Sequence, residues 1–260
     1  MKIGICLGYK SYAQIKQAVE FGYDYVEVGL NSMQNATADD IAAFVNALKE
    51  NNTTCPAVNS FFPGTIRLTG DEADFNAANE YMDMIFEKTA PIGIEQVVFG
   101  SGGARKIPEG FSHEKATEQL IKFCADYVAP MAKKYGKTVC LEELNTKECN
   151  IINTCAEAMN IVRAVNKPEI TLLWDYYHTG LENESVESIA EYKGYITHAH
   201  IASPSNARAF PKPGDGDDYA SFFNALRKAE YKNERVSIEA SEKDGFINSS
   251  AAALALLKSL

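Results

Sequence analysis

The run Val139-Cys-Leu-Glu142-Glu143-Leu-Asn145-Thr-Lys-Glu148 begins as an apolar strand and ends in carboxylates. Its start predicts a buried strand over residues 138–144. A buried strand has no use for a free carboxylate, because removing that charge from water is costly unless it is paired or bound to a metal. The stretch therefore indicates a site at which acidic side chains at the end of a strand are paired with another charge or bind a metal ion.

Three later apolar runs end in the same way. The run 170–178 closes on Asp175 and His178, the run 195–201 closes on His198 and His200, and the run 235–240 closes on Glu239. Carboxylates and imidazoles are ligands for hard or borderline metal ions. Four such strand ends predict one divalent cation held at the rim of a parallel barrel.

The rest of the chain alternates short apolar runs with longer amphipathic runs, which is the pattern of repeated βα units. Predicted strands cover residues 2–7, 25–30, 55–61, 96–100, 138–144, 170–175, 196–201 and 235–240. Predicted helices cover 11–21, a segment starting near 37, 71–89, 112–135, 154–165, 185–192, 219–230 and 248–259. Eight units in 260 residues favour a single-domain α/β (β/α)8 TIM barrel over residues 1–260. A doubly wound sheet is disfavoured because no Gly-x-Gly-x-x-Gly follows the first strand.

Composition narrows the functional class. The chain has 35 acidic and 25 basic residues and a net charge of −10, which argues against a nucleic-acid surface. Its apolar runs are shorter than a membrane span, and the first strand starts without a secretory signal. We therefore expect a cytoplasmic enzyme with small-molecule partners and no membrane or nucleic-acid partner. The six cysteines contain no Cys-x-x-Cys pair and are expected to be reduced.

The expected ligand set is Glu142, Asp175, His200 and Glu239, one from each of four consecutive strands. Neighbouring strands lie about 4.8 Å apart, so these side chains can reach one ion. Three carboxylates and one imidazole leave coordination positions open, which suits Mn²⁺ or Mg²⁺, with Co²⁺ or Zn²⁺ possible.

Two of the expected ligands, Glu142 and His200, each have a neighbour of the same residue type that could be the ligand instead. Glu143 should face the other side of its strand and is interpreted as structural. We expect only one of His198 and His200 to point into the barrel. His200 is favoured because a loop follows it at once, and His198 is the alternative ligand.

Several motifs together resemble the xylose-isomerase-like TIM barrels, and within them the sugar phosphate isomerase/epimerase group that includes the ketose 3-epimerases. The motifs are Leu141-Glu142-Glu-Leu-Asn145-Thr-Lys-Glu148, Trp174-Asp175-Tyr-Tyr-His178, His198-Ala-His200 with Arg208 and Pro213-Gly-Asp-Gly216, Ser237-Ile-Glu239, and Phe61-Phe-Pro-Gly with Leu68-Thr-Gly. The resemblance covers nearly the whole chain.

The resemblance implies a metal-dependent sugar or sugar-phosphate isomerase/epimerase that moves a proton through an enediolate. Glu142 and Glu239 would be ligands and also the catalytic acid/base pair on opposite faces of the substrate carbon. The ion would chelate a carbonyl oxygen and a neighbouring hydroxyl of an open-chain sugar. Substrate oxygens would be bound by Glu148, His178 and Arg208. The resemblance also implies a homodimer or homotetramer.

The chain departs from the group's pattern where the far end of the substrate should lie. Thr146 stands where Arg is common, and His200 and Arg208 are eight residues apart instead of six. Phosphorylation of the substrate stays open, since Arg67, Arg105 and Lys212 lie in loops that could meet a phosphate, although a solvated charge is the simpler interpretation of each.

Other functions fit the same scaffold. An inosose-dehydratase-like lyase would use the same metal to eliminate water, and a hydroxypyruvate-isomerase-like enzyme is a further alternative. A sugar-binding barrel without activity would be expected to have a broken ligand set, whereas all four ligands are present here.

Overall fold

The eight apolar runs form parallel strands in the computed structural model, which describes residues 1–241 and 245–260. The strands are β1 Lys2–Leu7, β2 Tyr25–Gly29, β3 Ala57–Asn59, β4 Gln96–Phe99, β5 Thr138–Leu141, β6 Ile170–Asp175, β7 Ile196–Ile201 and β8 Arg235–Ile238. Each strand pairs with the next, and β8 pairs with β1, so the sheet closes. The prediction of a (β/α)8 barrel is confirmed.

Helices connect the strands and cover the outside of the barrel. They are α1 Tyr12–Phe21, α2 Ala38–Glu50, α3 Phe75–Thr89, α4 Gly102–Arg105, α5 His113–Phe123, α6 Ala129–Lys134, α7 Cys155–Val165, α8 Tyr176–Leu181, α9 Tyr219–Lys228 and α10 Phe246–Lys258. Short 3₁₀ turns lie at Asn31–Met33, Ala90–Ile92 and Val186–Tyr192. Within the two described ranges, no helix is long and apolar enough to cross a membrane.

Two strands, β3 and β5, are at least three residues shorter than predicted. β3 starts after Pro56, which has no N–H for the ladder, and ends before Ser60, whose φ is +50°. β5 ends at Leu141 because the chain then leaves the sheet, and the N–H of Leu144 donates to the carbonyl of Ile152 instead. Glu142 therefore follows the strand directly.

Two predicted helices also differ from the structure. The segment 112–135 contains a π turn over Cys124–Val128 between α5 and α6, next to Pro130, which cannot donate a helical hydrogen bond. The segment 185–192 forms a 3₁₀ turn rather than an α-helix. Helix α8 was not expected and starts immediately after Asp175.

Side chains two residues apart along a strand share a face, so the inward positions form layers inside the barrel. The lower polar layer consists of Gln96, Thr171, Thr197 and Asn233, joined by hydrogen bonds. Above it lies an apolar cluster of Val98, Cys140 and Leu173. The upper ionic layer consists of Glu142, Asp175, His200 and Glu239 at the carboxyl ends of the strands, together with Glu27 and His198 just below them.

Candidate metal centre and active site

Four side chains from β5 to β8 converge at the top of the barrel. One ligand atom from each of Glu142, Asp175, His200 and Glu239 lies within 4.8 Å of the others. The Nδ1 atom of His200 is 3.2 Å from Glu142 Oε1, 3.5 Å from Glu239 Oε2 and 3.8 Å from Asp175 Oδ2. Three carboxylates and one imidazole at this spacing fit a divalent cation with positions left for substrate.

Asp175 is held in place by the helix that follows it. Its Oδ1 atom caps α8 by accepting hydrogen bonds from the N–H groups of Tyr177 at 2.7 Å and His178 at 3.3 Å. The other oxygen, Oδ2, faces His200. Because capping uses one oxygen and a metal needs only the other, the sequence Asp175-Tyr-Tyr-His178 can serve both purposes.

The tautomer of His178 follows from its hydrogen bonds. Its Nδ1 atom accepts from the backbone N–H of Asn145 at 3.0 Å, so in the neutral ring the proton is on Nε2. Nε2 is buried, has no hydrogen-bond partner, and lies 3.8 Å from Asp175 Oδ2. His178 therefore presents a free N–H donor beside the ligand cluster.

Arg208 links the ligand cluster to the outer part of the site. Its guanidinium pairs with the carboxylate of Glu239 and lies 3.3 Å from Glu148 Oε1. It also lies over the ring of Tyr177, at 4.9 Å from the centroid. Asn145 Nδ2 donates to Glu148 Oε1 at 2.9 Å and lies 2.8 Å from His178 Nδ1, so Asn145 connects His178 with the Glu148–Arg208 pair. Of these three predicted substrate contacts, Glu148 and Arg208 line the cavity described next, and His178 is fully buried.

A cavity of about 510 Å³ opens above the cluster. Its polar lining includes Glu142, Glu148, Arg208 and Glu239, and Phe62 and Leu144 supply apolar surface. Among described residues, neither Arg67 nor Arg105 nor Lys212 lines it.

Arg105 is not the solvated charge that the sequence suggested. It is fully buried, and its guanidinium donates to the carbonyls of Phe99 at 3.0 Å and Ile152 at 3.4 Å. The polar and glycine-rich sequence around Arg105 predicts an exposed loop, so the sequence did not indicate that this side chain is buried.

The two candidate catalytic glutamates have opposite electrostatic surroundings. Burial and the carboxylates of Glu239 and Asp175 raise the pKa of Glu142, and His200 only partly opposes them. Burial would also raise the pKa of Glu239, but Arg208 and His200 outweigh it and lower that pKa to about 2. Burial opposes the charge of His200, yet Glu27 and Glu239 raise its pKa well above the usual range.

The expectation that only one of His198 and His200 points inward is wrong. The two residues are two positions apart on β7 and therefore share a face, and both point into the barrel at different depths. His198 Nε2 lies 2.8 Å from Glu27 Oε2, and His200 Nε2 lies 2.9 Å from Glu27 Oε1. His200 alone of the two reaches the ligand cluster.

Glu27 and Glu143 are not members of the four-residue ligand cluster, but each contacts one of its members. Sequence reasoning gave Glu27 no role, although a fully buried carboxylate within β2 meets the criterion that was applied to Glu142. Glu143 faces away from the barrel axis, where its Oε1 accepts from the N–H of Asp175 at 2.8 Å and from Thr179 at 3.2 Å.

Gly100 leaves the space that Glu142 occupies. A Cβ atom at Gly100 would lie 2.0 Å from Glu142 Oε2, far inside any tolerated contact. The absence of a side chain directly after β4 is therefore a requirement for the position of Glu142.

Comparisons with known proteins place this chain among sugar epimerases by sequence similarity. The chain is 26% identical over 222 residues to the L-ribulose 3-epimerase of Methylomonas sp. (strain DH-1), covering 84% of this chain and 74% of the relative. It is 23% identical over 208 residues to the D-psicose 3-epimerase of Agrobacterium fabrum, covering 78% and 69%. Both relatives are sugar epimerases, which are isomerases.

A similar solved structure is the D-psicose 3-epimerase of Clostridium cellulolyticum H10 with D-tagatose. Its TM-score is 0.88 at 18% identity, with 100% of this chain and 99% of that chain covered, which shows a shared fold. The family model of the xylose isomerase-like TIM barrel matches residues 15–260. This chain belongs to the xylose isomerase-like TIM barrel family.

Proposed function

We propose that this protein is a divalent-metal-dependent sugar epimerase, most similar in action to the ketose 3-epimerases. One observation carries the proposal: Glu142 and Glu239 reach one cavity from separate strands, and each has a ligand atom in the same 4.8 Å cluster as Asp175 and His200. The epimerase relatives at 23–26% identity support the same reaction class.

The proposed chemistry is proton transfer beside a carbonyl. A divalent cation in the cluster, with Mn²⁺ or Mg²⁺ preferred, would supply the electrophile that stabilises negative charge on the carbonyl oxygen. Inversion of a stereocentre needs a base on one face of the carbon and an acid on the other. Glu142 and Glu239 would form this pair, one accepting the proton from carbon and the other returning a proton to the opposite face. The reverse reaction exchanges the two roles.

The remaining residues would bind the sugar hydroxyls. His178 offers its free Nε2–H, Arg208 offers guanidinium donors, and Glu148 offers an acceptor. Arg208 is the one basic side chain among the described residues that line the cavity, and it is already paired with the carboxylates of Glu148 and Glu239, so the lining offers no unpaired cationic side chain to a phosphate group. We therefore infer an unphosphorylated ketose as substrate.

The test is an assay of the purified protein after chelation and reloading with Mn²⁺, Mg²⁺, Co²⁺ or Zn²⁺. L-ribulose, D-psicose, D-tagatose, D-fructose and an inosose, which is a cyclic keto-polyol, are incubated in D₂O, and deuterium is located by NMR. Incorporation at C3 with formation of the C3 epimer supports the proposal. Incorporation at C1 alone would indicate a 1,2-isomerase, and loss of water from a cyclic keto-polyol would indicate the lyase. Either result would overturn the proposed reaction.

We further propose, from the family resemblance, a cytoplasmic homodimer or homotetramer. Light scattering coupled to size-exclusion chromatography distinguishes these two assemblies from a 28.6 kDa monomer. A monomer at micromolar concentration would contradict the proposed assembly without affecting the proposed reaction.

A further inference from the structure

Glu27 lies directly beneath the ligand cluster and is fully buried. Three side chains surround its carboxylate: His200 at 2.9 Å, His198 at 2.8 Å and Ser237 at 2.6 Å. An ionised carboxylate can only accept hydrogen bonds, so each of these neighbours must donate. Glu27 therefore has three donors directed at it and no contact with the cavity.

These hydrogen bonds determine which nitrogen of His200 is available. Because Nε2 donates to Glu27 Oε1, Nε2 keeps its proton, and Nδ1 is the atom that can offer a lone pair. Nδ1 is also the atom that faces Glu142, Glu239 and Asp175 at 3.2–3.8 Å. The orientation of the ring and its tautomer thus follow from the same contact.

The position of Glu27 is itself fixed from both sides. Tyr25 and Glu27 lie on the inward face of β2, and Tyr25 Oη lies 2.9 Å from Ser237 Oγ. Since Ser237 donates its proton to Glu27, it accepts from Tyr25. His198 holds the second oxygen of Glu27, which prevents rotation of the carboxylate.

We propose that Glu27 is a positioning residue for the metal centre, which holds His200 so that Nδ1 is the ligating atom. This inference rests on the proposed metal-dependent function. The alternative is that Glu27 only compensates the polarity of two buried histidines and contributes to folding alone. The alternative predicts lower stability without a change in metal affinity.

The first test is calorimetric titration of Mn²⁺ into the metal-free full chain. Glu27→Gln keeps the shape but must present an NH₂ group to one imidazole, so Mn²⁺ affinity should fall about 10- to 100-fold, as is usual for a lost partner of a ligating histidine. Thr197→Val, in the lower polar layer, is the matched control and should change thermal stability without changing Mn²⁺ affinity. Unchanged affinity in a folded Glu27→Gln protein overturns the inference.

Controls separate this inference from the proposed function. If wild type binds no Mn²⁺, the metal-dependent function itself fails. If wild type binds Mn²⁺, Asp175→Asn abolishes binding and Glu27→Gln does not weaken it, only the role of Glu27 fails.

The second test needs no variant and therefore does not depend on the folding of Glu27→Gln. The chain has 4 histidines, so their ring nitrogens can be assigned by ¹⁵N NMR of the protein loaded with diamagnetic Zn²⁺. We expect His200 with protonated Nε2 and a Zn²⁺-shifted Nδ1. A protonated Nδ1 with Zn²⁺ on Nε2 contradicts the inference.

Discussion

The barrel contains two polar layers that differ in charge. The lower polar layer joins neutral groups: Gln96 donates to Thr197, Thr171 and Thr197 lie 2.7 Å apart, and Asn233 lies 3.3 Å from Gln96 Oε1. The upper ionic layer concentrates four carboxylates and two imidazoles. Neutral groups can satisfy one another in the interior, whereas buried carboxylates need a compensating cation. The comparison indicates that the lower layer serves stability and the upper layer serves function.

The largest expected effect comes from the two carboxylates proposed to act in catalysis. Glu142→Gln or Glu239→Gln keeps the side-chain volume but removes a base, so kcat should fall about 10²- to 10⁴-fold. Steady-state kinetics on the best ketose measures the loss, and circular dichroism checks that the barrel remains folded. Retention of full activity by either variant would show that the two-base scheme is wrong.

The charge of Glu142 also predicts a pH effect on metal-free protein. Its pKa is raised in the folded state, so the ionised form opposes folding, and stability should be lost as pH rises through that raised value from about 4.5. Glu142→Gln removes this titration. The difference in Tm between variant and wild type should grow in favour of the variant as pH increases, and a difference that is independent of pH would contradict the assignment.

Gly100→Ala tests how closely the upper layer is packed. The new Cβ would lie 2.0 Å from Glu142 Oε2 and would displace that carboxylate, so kcat should fall about 100-fold. Gly29→Ala is the matched control, since its Cβ would meet Asn59 Oδ1 at 3.5 Å, an ordinary contact. Equal activity in both variants would show that Glu142 moves freely.

Gln96→Leu tests the lower polar layer. The change removes the hydrogen bonds to half-buried Thr197 and exposed Asn233 and should cost about 1–3 kcal/mol in the free energy of unfolding, measured by urea denaturation. Mn²⁺ affinity and kcat should equal those of wild type. If catalysis fell together with stability, the two layers would be coupled and the proposed division between them would fail.

The smallest expected effect comes from Tyr25→Phe. Ser237 loses a donor but still donates to Glu27, so we expect a loss of about 1 kcal/mol in stability and less than about threefold in Mn²⁺ affinity. Tyr23→Phe, which loses a hydrogen bond to the carbonyl of Ser250 outside the barrel, is the control. A tenfold loss of Mn²⁺ affinity in Tyr25→Phe, but not in Tyr23→Phe, would contradict this expectation and would show that Tyr25 also positions the metal ligands.

Local sequence was sufficient for the barrel and for the three acids that lie where a strand ends, Glu142, Asp175 and Glu239. The apolar runs mark the strands, and Glu142, Asp175, His200 and Glu239 lie together because parallel strands end at the same rim. Their role as ligands stays a prediction.

Sequence reasoning failed where a residue depends on contacts across the barrel. Glu27 lies two residues before the end of β2, and its partners come from β7 and β8. Helix α8 has only 6 residues and depends on the cap from Asp175, so no helical periodicity could develop. The burial of Arg105 depends on carbonyls of Phe99 and Ile152, which no local pattern reports.

Arg208 and the residue before it, Ala207, both have left-handed backbone conformations, with φ of +65° and +51°. Each non-glycine residue in this region costs about 1 kcal/mol or more, so the loop keeps the guanidinium aimed at Glu239 at the expense of stability. Ala207→Gly would relieve this backbone strain, and it would also let the guanidinium of Arg208 move more freely relative to Glu239. Selection of variants for heat resistance alone would therefore favour Ala207→Gly and, with it, a less firmly held Arg208–Glu239 ion pair.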